Sequence, residues 1–365
     1  MQYLETLNLS KEASVYKLCG DFNDSLKRFI VSTPQSRAIC NRPEILGCQY
    51  TTLMLVAMTA TLKGLPFAKE ILQKQDEESI CILNFLRGGL NFDLRSALSL
   101  AFGFNRHRTS FMTSQRFKKD GRWGVKENAY RKFSFPPNAT ILIADVVATG
   151  VTIDNGLEVL VEHLKKTNAS VKNLIFFTIG CHKIEKILEK YDAIFREFSP
   201  DFGNCYIVYF EGKFKLVDSK TELKIGIPGT DFVRFDSILA PEFELSQYES
   251  LNYPLERCTI YDAGSRAFDI PEYLSDVREY WTKLKKLAEN GFTLYDALKE
   301  RWPEEEYTDE TTFVKSKKVV WKNIKNDLLE KIYQAYQKRW TDEFKSNSKN
   351  SPSLLELCGK RIGNL

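Results

Sequence analysis

No run of about 18 or more apolar residues occurs in this chain, so a membrane-spanning helix is not expected. The nearest stretch, Leu53 to Leu62, is short and contains Thr59 and Thr61. The opening residues MQYLETLNLSKE have neither the basic nor the apolar segment of a secretory signal, which makes a cytoplasmic location the expectation. Histidine is scarce, with His107, His163 and His182 far apart, and the eight cysteines form no CxxC pair. A zinc site is therefore not expected, and the cysteines read as reduced, mostly buried thiols. Charge of one sign is also lacking. Lys+Arg 52 against Asp+Glu 48 leaves +4, too little to imply a nucleic-acid partner. A P-loop is excluded, because GxxxxGK[ST] is absent. No internal repeat or long low-complexity tract is present.

What the sequence does have is core material. Apolar residues make up 43%, with Phe 25, Tyr 16 and Trp 5, which rules out wholesale disorder. At about 150 residues per domain, 365 residues suggest two domains. Residues 11 to 62 read as helical with a break at Ser32-Thr33-Pro34, and Gly47 to Lys63 as one mostly buried helix. Short apolar runs of strand length follow at 79–85, 140–144, 174–179 and 205–210, alternating with helical patterns at 94–102, 153–166 and 183–195. That alternation predicts βαβ units, hence an α/β domain with a parallel sheet covered on both faces and right-handed crossovers. Residues 105 to 137 are polar and basic, long for a loop and too hydrophilic for a core. Beyond about residue 236 the strand-like runs largely disappear. Segments 271–290 and 315–345 read as helices, and 346–352 as a loose polar tail. The working division is an α/β domain over 1–235 and a mainly helical extension over 236–365.

The most informative stretch is Ile141-Leu-Ile-Ala-Asp145-Val-Val-Ala148-Thr149-Gly150-Val151-Thr152. A buried strand ends in an acidic residue, then a short Thr/Gly turn opens a helix. Such a turn aims backbone N–H groups and two hydroxyls at the positive end of the helix, where a phosphate fits. Gly150 permits close backbone approach, and Asp145 could accept hydrogen bonds from sugar hydroxyls. The same residues would also suit a helix capped by Thr152 with no ligand.

This stretch resembles the phosphoribosyl pyrophosphate (PRPP) signature of type I phosphoribosyltransferases. Over about residues 32–235 the chain is most similar to the uracil phosphoribosyltransferase family, through four features in the family's order. Asn84-Phe-Leu-Arg87-Gly88-Gly89-Leu90 resembles the pyrophosphate loop. The basic stretch around Arg116 stands where the family has a mobile loop carrying a pyrophosphate-binding arginine. The Asp145 turn is third. Lys224-Ile-Gly226-Ile-Pro228-Gly229-Thr230-Asp231 resembles the segment that holds the base. Three departures are visible: Ala144 stands at the family's acidic position, the base segment is one residue shorter, and residues 236–365 have no counterpart.

The resemblance implies a Mg²⁺-dependent transferase, usually a homodimer, moving ribose 5-phosphate from PRPP to a pyrimidine-like base. It assigns Arg87, Arg116 and Asp145 to catalysis. Gly88, Ala148, Thr149, Gly150, Val151 and Thr152 would bind PRPP. Gly226, Thr230, Asp231 and Phe232 would bind the base, and no protein metal cage is implied. Read alone, Arg-Gly-Gly could be only a strand-to-helix turn, the charge run around Arg116 a solvated face, Asp231 a turn-former and His182 a helix cap. Two other functions stay open. One is a non-catalytic sensor of PRPP or a nucleotide that signals through the C-terminal helices. The other is a transferase for a larger acceptor, with the extension forming part of its pocket.

Overall fold

The computed structural model describes residues 1–365 apart from 23, 87, 114, 120–121, 127–129, 227–230, 258–268 and 304–308; of 115–119, 122–126, 342 and 351 it describes the backbone only. Strands β1 (Tyr3–Leu9), β2 (Ser14–Cys19) and β3 (Leu26–Ser32) open the chain as an antiparallel meander. This corrects the helical expectation for residues 11 to 31. Phe29-Ile30-Val31 favour a pleated surface, and β3 pairs in parallel along Cys205–Phe210, so tertiary pairing overrides the local pattern. The Ser-Thr-Pro break is a helix start: Thr33 and Ser36 form a capping box for α1 (Pro34–Asn41).

Next come α2 (Gly47–Gly64), α3 (Pro66–Ile71), β4 (Ile80–Leu86) and α4 (Leu94–Phe102). The polar stretch after α4 forms β5 (Arg108–Thr113), β6 (Gln115–Lys119), β7 (Arg122–Lys126) and β8 (Arg131–Lys132), with β6 and β7 paired as a separate hairpin. Then β9 (Ala139–Ala144), α5 (Val151–Thr167), β10 (Val171–Cys181), α6 (Lys183–Phe198) and β11 (Cys205–Leu216) alternate as the sequence predicts. All six residues of β9 are buried, as a central parallel strand requires.

After β12 (Phe232–Leu239) the chain is mainly helical: α7 (Pro241–Ser246), α8 (Ile270–Glu289), α9 (Leu294–Arg301) and α10 (Glu310–Val320), then the two-residue β13 (Trp321–Lys322), then α11 (Asn326–Arg339), α12 (Asp342–Ser348) and α13 (Ser351–Gly363). Residues 346–352, expected to be loose, instead form the end of α12, a two-residue joint and the start of α13. Buried Leu354 and Cys358 anchor α13, so a polar joint between two packed helices is held by its neighbours. The apolar stripes of α8 (Trp281, Leu284) and α11 (Ile332, Tyr336) are buried and continuous with the core of the sheet.

Among the described residues the main sheet runs β13-β1-β2-β3-β11-β10-β9-β4-β5-β8, with β12 antiparallel to the far part of β11. The six strands from β3 to β5 are parallel. The protein is thus an α/β fold with a mostly parallel sheet and a helical C-terminal region. From β4 the chain steps outward to β5; from β9 it steps the opposite way through β10 to β11. Right-handed crossovers in opposite directions put their helices on opposite faces, α4 with α2 on one and α5 with α6 on the other. The direction reverses between β4 and β9, and open α/β sheets leave a crevice beyond the strand ends at such a point.

Candidate functional site

The Asp145 turn follows β9, one of the two strands between which the direction reverses. Pairing with β10 continues beyond β9: the Asp145 N–H reaches Phe177 O at 3.2 Å, Val147 N–H reaches Ile179 O at 3.1 Å, and Cys181 N–H reaches Val147 O at 3.3 Å. Residues 145–147 are therefore held by the neighbouring strand, and the turn 148–150 follows at its carboxyl end. Gly150 is the N-cap of α5, at φ 79, and makes no side-chain capping bond. The cap is Gly150 and not Thr152, which lies in the first turn. The positive φ is what calls for glycine here; a Cβ would also meet Ile187 Cδ1 at 2.5 Å, so that side-chain end would have to move aside. A cap without a side chain leaves the first-turn N–H groups without the usual hydroxyl or carboxylate acceptor, at the positive end of a 17-residue helix.

Ala148, Thr149, Val151 and Thr152 are half-buried around this turn, as is Asp145, whose Oδ1 accepts the Val146 N–H at 2.8 Å. The Cys181 thiol donates to Ala148 O at 3.2 Å from beneath, and burial pushes its pKa up, which keeps it a protonated donor. Thr178 Oγ1 is buried without a hydrogen-bond partner among the described residues. It lies 2.8 Å from where a Cβ on Gly180 would sit, a point 3.0 Å from Val147 O. Neither Cys181 nor Thr178 was legible as a site residue; the only signal was their place at the end of an apolar strand.

The other of these two strands is β4. Gly89 is buried, and a Cβ there would lie 3.1 Å from Ala144 O, so the Gly88-Gly89 loop packs against the end of β9. Two motifs separated by some fifty residues thus meet. Arg87, which precedes Gly88 in the chain, lies outside the described residues. Arg116 sits in β6 opposite Val125, in a hairpin whose β7 lies against α5; its side chain is outside the described part. His182 precedes α6 and makes no capping bond. One turn on, buried Glu185 accepts from Tyr209 at 3.1 Å and Lys213 at 3.3 Å, tying the start of α6 to β11.

The base segment comes after β11, which runs past the end of β10 (Cys181 faces Phe214), and Phe232 at the start of β12 pairs back onto Leu216. Gly226 packs near Val217, and Thr230 is outside the described residues. Phe232 is buried and stacks on Phe214, ring centroids 5.7 Å apart. Asp231 is fully buried, and both its oxygens pair with Arg301 of α9, at 3.0 and 3.3 Å. Sequence reading missed Arg301, because a partner 70 residues away leaves no local pattern. Beside this segment, between Asp218, Lys220, Phe235, Lys299 and Pro303, lies an open cleft of about 560 Å³.

Among the described residues no group of three or more His, Cys, Asp or Glu could hold a metal, and no helix is long and apolar enough to cross a membrane. No family model matches the chain, and no curated protein matches it in sequence. Among solved structures, the AQ2163 protein from Aquifex aeolicus is 16% identical over 51% of this chain and 89% of its own, with a TM-score of 0.34. A purine phosphoribosyltransferase from Pyrococcus horikoshii is 14% identical over 48% of this chain and 97% of its own, TM-score 0.24. A hypothetical protein from Neisseria gonorrhoeae with bound ppGpp is 12% identical over 34% and 66%, TM-score 0.22.

Proposed function

We propose that this chain is a phosphoribosyltransferase that moves ribose 5-phosphate from PRPP to a pyrimidine-like base and releases pyrophosphate. The observation that carries the reading is the meeting, at the sheet's reversal point, of the Gly89 loop with the strand that leads into the glycine-capped start of α5. In this reading the 5′-phosphate sits on the N–H groups and hydroxyls of residues 148–152. Asp145 takes the ribose hydroxyls. Arg87 and Arg116 bind pyrophosphate, and the segment around Gly226, Thr230, Asp231 and Phe232 flanks the base, with Asp231 acting through its pairing to Arg301.

The bond from the anomeric carbon to pyrophosphate breaks as a ring nitrogen of the base bonds to that carbon, and the proton of that nitrogen passes to the departing pyrophosphate or to water. Positive charge grows on the sugar and negative charge on the leaving group. Forked guanidinium donors suit the departing oxygens, so positioning and electrostatics supply most of the rate. The donor set also fits Mg²⁺: one half-buried carboxylate, Asp145, beside substrate oxygens is what a hard cation that retains its waters takes. When bound, it would neutralise charge on the pyrophosphate.

A sensor is the second reading. It is favoured by Ala144, which is 2% exposed and leaves Asp145 as the acidic side chain at this strand end. Incubation with PRPP, Mg²⁺ and a panel of bases, following pyrophosphate, separates the two. Base-dependent release supports the transferase. Tight PRPP binding without release on any base favours the sensor.

A further inference from the structure

We infer that helix α10 carries a docking groove for an acidic, amphipathic helix of a partner protein, an interaction independent of the function proposed above. An open groove of about 640 Å³ runs along α10 and on to Lys322 of β13. Its lining falls into two neighbouring rows of residues four apart: Glu310, Val314, Lys318 and Lys322 in one, Thr311, Lys315 and Val319 in the other. The furrow between two such rows is what receives a ridge of side chains from a second helix. The volume lies in the range of about 300–1,000 Å³ that sites for sizeable ligands occupy, far more than an ion fills.

The chemistry of the groove selects its occupant. Lys315, Lys318 and Lys322 are exposed, and among the described residues none has a carboxylate within ion-pair distance. Lys317 of the same helix differs: it pairs with Glu244 of α7. Lys315 and Lys318 are three apart on one helix, where like charges repel. Glu310, at the opposite end, is the one carboxylate among the described residues of the lining. Between the charges apolar surface stands open, with Val319 38% exposed and Val314 half-buried. The helix also draws little support from the protein. Phe313 is its one buried residue, and Thr311, Thr312, Val314, Val319 and Val320 are β-branched, which lowers helix propensity. A lysine in the last turn suits the helix dipole, but the exposed valine beside it serves nothing within the chain. A partner helix with carboxylates flanking an apolar stripe relieves the lysine repulsion and covers both valines together. A nucleic-acid backbone would use the lysines and leave the valines in water.

The test uses the full chain and fluorescence anisotropy. The probe is a fluorescein-labelled peptide of two Ala-Leu-Glu-Glu-Leu-Ala-Glu heptads, whose leucines share one face of a helix. Micromolar binding is expected, weakening about tenfold as salt rises from about 0.05 to about 0.5 M. Lys318→Glu and Val319→Asp should each weaken it by about tenfold or more. Lys172→Glu, the same charge change at an exposed residue of β10, should leave it within about twofold. The charge-reversed peptide, with lysine for every glutamate, should not bind. Lys318 and Val319 are both exposed, and matching thermal melts show that the variants fold. No binding by the wild type, or undiminished binding by both variants, overturns the inference. A loss in Lys318→Glu without one in Val319→Asp also overturns it, because that marks a general polyanion site, as does equal binding of a single-stranded oligonucleotide. Binding that appears only when Glu304, Glu305 and Glu306 are replaced by Gln would show that the groove serves the chain's own acidic run, and the partner is then overturned. Each of these results leaves the transferase reading where it stands.

Discussion

A Cβ placed on Gly156 would lie 1.8 Å from Cε1 of Phe85. Gly156 is in the second turn of α5, and Phe85 is the penultimate residue of β4. One backbone-to-ring contact therefore sets the start of α5 relative to the loop after β4. Glycine within a helix normally costs about 1 kcal/mol against alanine, so close approach is the reason for it here. Gly156→Ala should destabilise the protein by about 1–3 kcal/mol through overpacking, measured by urea unfolding. A neutral or stabilising change would show that the helix shifts freely on the strand.

PRPP with Mg²⁺ is expected to raise the melting temperature of the wild type by mass action. Gly150→Val should abolish that rise, because φ 79 and Ile187 both oppose a side chain and the turn must rebuild. Thr149→Val removes a hydroxyl from the same turn and should abolish it too. Differential scanning fluorimetry of the three proteins decides the matter, and equal shifts would place PRPP elsewhere.

Asp145 and Arg116 should separate kinetically. Asp145→Asn is expected to weaken PRPP binding and lower turnover together, because ribose contacts persist from ground state to transition state. Arg116→Ala should lower turnover about a hundredfold, roughly 2.7 kcal/mol, with less change in PRPP affinity, since its partner charge grows only as pyrophosphate leaves. Calorimetric titration beside steady-state kinetics tests both; normal turnover in Arg116→Ala would remove this residue from the mechanism.

Glu211 gives a pH signature. It is fully buried at φ 66, where β11 is irregular, and its carboxylate accepts from Ser32 Oγ at 2.6 Å, the Thr33 N–H at 3.0 Å and Ser36 Oγ. Burial pushes its pKa from 4.5 up to about 7, against the pull of Arg37 and these donors. The native state thus binds the proton more tightly than the unfolded chain. Its contribution to stability is complete below about pH 4.5 and is lost as pH rises through about 7, by up to roughly 3 kcal/mol. Glu211→Gln, which mimics the protonated form, should lack this loss. Urea unfolding of both proteins from pH 4.5 to 8 should show the wild type losing ground to the variant; a constant difference would refute the assignment.

Strands β4, β9, β10 and β11 were legible because a parallel strand buried on both faces must be an almost uninterrupted apolar run. The Asp145 turn was legible because its glycine and threonines are local chemistry. The opening meander was not. Phe29 and Val31 form a strand because β11 offers them an edge, Val15 then pairs with Val31, and no window of the sequence contains that edge. The helical order of 346–352 was missed for the same kind of reason, since these polar residues are held where Leu354 and Cys358 of α13 pack.

The sequence by itself determined the alternation of strands and helices and the place of the Asp145 turn, because burial periodicity and turn chemistry act within a few residues. Only the tertiary structure decided that the Gly89 loop packs against the end of the strand that leads into the Asp145 turn, since that depends on β4 and β9 being neighbours where the chain reverses direction. It alone paired Asp231 with Arg301. A charge buried at one point of the chain must find its counter-charge in space, and across 70 residues sequence order carries no trace of where that is.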